Sequence, residues 1–275
     1  MTIQGTVSVV RRPAVAGYYY PADSETLARE VDALIGRQPR AEVIAVVVPH
    51  GSIQRAGRIA GTTLGGVAIP PRVILLGPSH TNTPIGWSLM TSGAYRTPLG
   101  DVPVDERLAE SLRARCPFLE PDPHAQRGEH AVEVLLPFLQ RLGPAELSLV
   151  PIIMAREAGD ELEALAEALA EVIRQQPSPV LLAASADLSS FGPTEAVRLA
   201  DGRLIDAITS LDAARLFREA AASDLPMCGY GAVSCVLRAA KRLGAAGGRL
   251  VQYATSAEAS GDPHSATGYG GVLLA

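Results

Sequence analysis

Three apolar runs in this 275-residue chain end in side chains that can bind a metal or carry a proton. Val43–Val48 runs into Pro49-His50, Val73–Gly77 into Pro78-Ser79-His80, and Val180–Ala184 into Ser185-Ala186-Asp187. Open α/β sheets bind ligands beyond the carboxyl ends of their strands. If these runs are neighbouring strands, two imidazoles and a carboxylate meet on one rim. Two histidines and one anionic ligand, with positions left open, is the ligand set of non-haem iron(II) centres. Cys228, within Pro226–Gly231, precedes a helical pattern. A helix N-terminus favours the thiolate, the form that ligates metals. Gly128-Glu129-His130 opens another helical pattern, in which His130 and Glu133 are three residues apart and share a face. That pair suits a proton relay or a support for ligands. Simpler readings stand beside each: a histidine after a strand can be a loop residue, Asp187 can N-cap the following turn, and Cys228 can be a small buried hydrophobe. His124 and His264 fall in proline-containing loops and read as solvated, while Cys116 and Cys235 read as packing residues. Tyr18, Tyr19 and Tyr20 read as core and rim packing.

The runs that end in these residues have the short, continuous apolar character of strands buried on both faces. Leu147–Met154 is a fourth such run, and Arg249–Tyr253 and Tyr269–Leu274 are two late candidates. Helical periodicity fills the intervals. Leu27, Val31 and Leu34 recur after the cap candidates Asp23 and Ser24, and Val104, Leu108 and Leu112 recur after Pro103. The strongest helix runs from Asp160 to about Gln175, and others lie near Glu195–Ile208, Leu211–Ala221 and Ala232–Leu243. His130–Leu142 also reads as a helix, with a kink expected at Pro137. Strand–helix alternation along the whole length, with no Gly/Ser linker or internal repeat, predicts one α/β/α sandwich domain over 1–275 with a mostly parallel sheet.

Composition narrows the function classes. Hydrophobic residues make up 47% and charged residues 19%, which excludes intrinsic disorder. The net charge of −5 and the lack of a basic stripe argue against nucleic-acid binding. No apolar run approaches the roughly 18 residues of a membrane span. Met1–Tyr20 carries Arg11 and Arg12 without a following apolar stretch, so it does not read as a secretory leader. Three cysteines without a CxxC form neither a disulfide framework nor a zinc ribbon. These features together point to a soluble, cytoplasmic globular protein.

Seven further segments and the N-terminus carry a family likeness. Arg11–Asp23 (RRPAVAGYYYPAD) resembles the opening of the Memo family, whose prokaryotic branch is called AmmeMemoRadiSam system protein B. VVVPH, LLGPSH, TPLGDVPVD, GEHAVEVLLPFLQ, SADLSSFG, Leu211-Asp212 and CGYGA then follow in the family's order, over nearly the whole chain. The resemblance implies a fold like the LigB-like class III extradiol dioxygenases, with a metal site at one end of a mixed sheet. It implies iron, or else copper, held by His50, His80 and Cys228, with Asp187 and His130 beside them. The implied activity is dioxygenase-like redox chemistry on a small-molecule substrate by a non-haem iron oxidoreductase, with O₂ a candidate co-substrate. A radical-SAM partner is implied by the branch name alone.

Two departures qualify that expectation. The family's His-Ala-Gly-Tyr reads His50-Gly51-Ser52-Ile53, and its Ser-Asp-Phe-Ser-His reads Ala186-Asp187-Leu188-Ser189-Ser190. A serine cannot titrate near neutrality in place of an imidazole. His130, poised by Glu133, is then the expected proton carrier. The alternatives are a binding or scaffold protein that keeps the cleft without turnover, and a zinc hydrolase in which the metal acidifies a bound water.

Overall fold

The computed structural model describes residues 9–81, 86–156 and 159–275, so part of the N-terminal segment read above for a leader, residues 1–8, lies outside them. In chain order the strands are β1 Val10–Arg11, β2 Ala45–Val48, β3 Arg72–Pro78, β4 Trp87–Leu89, β5 Ala94–Thr97, β6 Gly100–Pro103, β7 Leu119–Glu120, β8 Ser148–Met154, β9 Val180–Ser185, β10 Asp187–Gly192, β11 Met227–Cys228, β12 Gly248–Thr255 and β13 Ala266–Leu274. The helices are α1 Ser24–Leu34, α2 Gly57–Gly65, α3 Glu106–Arg115, α4 Leu136–Leu142, α5 Glu161–Arg174, α6 Thr194–Thr209, α7 Ala213–Ala222, α8 Tyr230–Arg242 and α9 Ala257–Ser260.

Ten strands form the main sheet, in the order β11-β10-β13-β2-β9-β3-β8-β4-β7 with β12 on β13. Its centre, β2-β9-β3-β8, is parallel. These four are the apolar runs read from the sequence, and every residue of β2 and β9 is buried. Burial on both faces is what an all-apolar parallel strand requires. The sheet turns antiparallel on both sides, where β13 pairs with β2 and β4 with β8, so it is mixed and parallel only at its core. A second sheet joins β1, β5 and β6. Helices cover the main sheet, with α1, α2 and α4 packed together and α3, α5, α7 and α8 packed together. The result is an α/β sandwich around one continuous core of Val, Leu, Ile and Ala.

Caps set several helix boundaries. Asp23, Asp105 and Asp212 accept hydrogen bonds from the amides of Thr26, Leu108 and Arg215 and start α1, α3 and α7. The expected helix over His130–Leu142 is the main departure. A 3-10 turn covers Glu133–Leu135, and α4 begins only at Leu136. Pro137 sits in the first turn of α4, where its missing N–H costs no intrahelical bond, so it starts a helix instead of kinking one.

Candidate metal centre

Sheet order brings the site together. β9 lies between β2 and β3, so the segments leaving the carboxyl ends of three adjacent strands carry His50, Asp187 and His80. Val48 pairs with Ser185 at the end of this parallel block. Cys228 arrives from the far side in β11, which pairs antiparallel with β10 and places Cys228 opposite Asp187. Asp187 therefore opens a strand and is not an N-cap. Gly229 fixes the approach of Cys228, since its φ is +88° and a Cβ there would stand 2.6 Å from the Ser185 carbonyl oxygen. Only glycine combines that backbone with so close a contact.

His50, His80 and Cys228 each offer a ligand atom, and the three atoms lie within 4.8 Å of one another. His80 Nε2 is 3.0 Å from Cys228 Sγ. The His50 ring centroid lies 5.1 Å from that of His80 and 5.7 Å from that of His130, and His80 and His130 are 4.3 Å apart.

The far side of each ligand ring is held by a defined partner. Ser185 donates its hydroxyl proton to the Ala131 carbonyl at 2.6 Å and so must accept at 2.9 Å from His50 Nδ1–H. Glu129 accepts from His80 Nδ1–H at 2.9 Å, from the amides of His130 and Ala131 at 2.7 and 2.8 Å, and from the His80 amide. Both rings therefore carry a proton on Nδ1 and turn Nε2 toward the site. Burial, followed by repulsion from His80, lowers the His50 pKa to about 3, so that ring is neutral and free to ligate at neutral pH. Burial alone raises the Glu129 pKa, but the hydrogen bonds and charge of His80 and the Ala131 amide outweigh it and bring it down to about 2.

Asp187 accepts from the His50 amide at 2.8 Å, and its other oxygen is 3.8 Å from His50 Nε2. Burial raises its pKa to about 6 against the amide hydrogen bonds of His50 and Gly51. It braces the His50 turn and faces the cavity, outside the group of three ligand atoms. His130 borders the same cavity with the Tyr19 ring 4.7 Å away and tilted to it, and burial followed by His80 lowers its pKa to about 4.

Glu133 is not the partner of His130. Its oxygens accept from Arg11, Tyr20 and the amides of Ala14 and Val15, tying the N-terminal segment to the body of the protein. The pairing expected from helical spacing fails because residues 130–132 are not helical. The carboxylate that serves the site is Glu129, with His130 Nδ1 at 3.4 Å. The sequence signal lies in Gly128-Glu129-His130, but helical spacing singles out Glu133 and passes over Glu129. Of the other residues, His124 and His264 are exposed, and Cys116 and Cys235 are buried free thiols. Tyr20 is core, whereas Tyr18 is 85% exposed.

The cluster floors a cavity of about 690 Å³ that Tyr18, Arg55, Ser190, Phe191 and Tyr269 also line. His80, 33% exposed at its side chain, keeps the ligand set open to this space. Two imidazoles, one thiol and open positions make a donor set suited to a transition metal with room for a substrate.

Comparisons with known proteins give the family. Residues 11–273 match the family model of Memo-like protein. A MEMO1 family protein of Methanopyrus kandleri is 33% identical over 278 residues, covering 96% of this chain and 98% of its own length. MEMO1 family proteins of Aquifex aeolicus and Pyrobaculum arsenaticum are each 34% identical, with 96% of this chain and 99% of theirs covered. A likeness that spans both chains end to end, together with the strand ends that carry its motifs, shows that this chain belongs to the Memo family.

Proposed function

We propose that this Memo-family protein holds one redox-active metal ion, iron or else copper, through His50 Nε2, His80 Nε2 and Cys228 Sγ, and acts on a small organic substrate in the cavity above. The observation that carries this reading is the grouping of three ligand atoms within 4.8 Å from three separate chain segments, with both rings held through Nδ1. A bound ion supplies redox and Lewis-acid chemistry at its open positions. Ser185 and Glu129 keep the two rings oriented and their Nδ1 atoms protonated. Neutral His130, beside the ligand rings, accepts a proton from substrate. Asp187, with its raised pKa, donates or takes one near neutrality.

Departures from the family pattern favour a second reading, a cleft that binds without turnover. Ser190 lines the cavity where the family carries a histidine, and Ile53 is packed in the core where the family carries a tyrosine. Anaerobic purification and metal analysis of the wild type and of His50→Ala, His80→Ala and Cys228→Ser separate these readings. Stoichiometric iron or copper in the wild type, lost in all three variants, supports the redox reading. Stoichiometric zinc points to hydrolysis. A metal-free wild type leaves only the binding protein.

A further inference from the structure

We infer that the cavity selects a small organic acid, a planar apolar body bearing one carboxylate, and that Arg55 is the residue that anchors the carboxylate. The inference builds on the reading of this cavity as a substrate site. Arg55 is the one arginine or lysine among the described residues lining the cavity, and no carboxylate among them lies within ion-pair distance of it. The one carboxylate on the cavity wall, Asp187, is committed to the amides of His50 and Gly51. Arg55 sits on the turn that leads from His50 to α2, where its amide donates to the Ser52 carbonyl, and its positive charge acts on the Tyr269 hydroxyl. The Tyr269 ring, which shares this wall of the cavity, is packed over Gly51, where a Cβ would stand 2.9 Å from the ring edge. A guanidinium presents several donors in a planar fork matched to a carboxylate.

The walls speak to the body of the ligand. Tyr18 and Phe191 line the cavity while 85% and 78% exposed. Phe191 also holds φ at +65°, a conformation that costs a bulky residue energy and turns its ring outward from β10. Two exposed aromatic rings, one cation and the His50–His80–Cys228 group, all lining one cavity, match a flat molecule that carries one negative charge.

Calorimetric titration of the full chain with benzoate, its neutral isostere benzamide and inorganic phosphate tests this, using metal-loaded and metal-stripped protein, with metal content and thermal unfolding measured on the same samples. Benzoate should bind the wild type in both forms, about tenfold or more tighter than benzamide, and should weaken by a similar factor in Arg55→Gln with partial recovery in Arg55→Lys. Metal content and unfolding temperature of these variants should match the wild type. Benzoate binding that is undetectable, that is unaffected in Arg55→Gln, or that is no tighter than benzamide would overturn the inference. So would phosphate binding as tightly as benzoate, which marks a generic anion site, or benzoate binding only when metal is loaded. Arg55-dependent benzoate binding by a protein that takes up no stoichiometric ion would sustain the carboxylate anchor and discard the metal reading instead.

Discussion

Ser185 Oγ stands 2.9 Å from His50 Nδ1 and 2.6 Å from the Ala131 carbonyl, and the second contact decides the direction of the first. The hydroxyl has one proton and the carbonyl cannot donate, so the imidazole must. Ser185→Ala removes the acceptor and strands a buried N–H. The variant should lose about 1 kcal/mol of stability and weaken metal binding by about 10–100-fold. Denaturant unfolding and a competitive metal titration check the two effects, and wild-type affinity in the variant would refute the tautomer assignment.

Glu129 is 1% exposed and accepts hydrogen bonds from His80 and from the His130 and Ala131 amides. Glu129→Gln keeps the shape but turns an amide N–H₂ toward one of those donors. Loss of a buried charge-assisted arrangement should cost roughly 1–3 kcal/mol and release the His80 ring from its orientation. Glu133→Gln should cost comparable stability through Arg11 and Tyr20 yet leave metal affinity unchanged, because its oxygens face the N-terminal segment. Equal metal loss in both variants would contradict this division of roles.

Gly229→Ala meets two obstacles at once, a φ of +88° and a carbonyl oxygen 2.6 Å from the new Cβ. The left-handed conformation alone costs roughly 1–2 kcal/mol. Relief of the clash must push Cys228 away from His80. The expected outcome is a folded protein of lower stability whose metal content falls toward that of Cys228→Ser.

Asp201 is fully buried, accepts from the Ser189 amide at 2.8 Å and from the Tyr253 hydroxyl at 2.7 Å, and has its pKa raised by burial. A folded-state value above the unfolded one means that the fold prefers the protonated acid. Its contribution to stability is full below the unfolded value near 3.8 and is lost as pH rises through the raised folded value. The stability of the wild type relative to Asp201→Asn should therefore decline as pH is raised from about 3 toward neutrality. A difference that stays flat across that window would show that burial does not perturb this carboxyl.

The strand ends were legible because β2, β3, β8 and β9 are apolar enough to be buried on both faces, and the chemistry-bearing residues follow immediately. The amphipathic helices α1, α5 and α8 were equally plain, since their periodicity survives without long-range information. Short mixed-polarity strands such as β7 and β10 were not, because two to six residues of alternating character fit many environments. Helix α2, with three glycines and two threonines in nine residues, has weak intrinsic helicity and is held by packing on α1 and α4.

The sequence by itself determined which residues could do chemistry, which strands carry them, and through its ordered motifs the family. Tertiary contacts were needed to place β9 between β2 and β3, to bring Cys228 Sγ within 4.8 Å of both imidazoles, and to set Glu129 in place of Glu133 beside His80 and His130. The reason is physical. Periodicity reports which face of one element is buried, whereas neighbours in a sheet and the outward turn of a carboxylate follow from pairings and contacts between segments far apart in the chain.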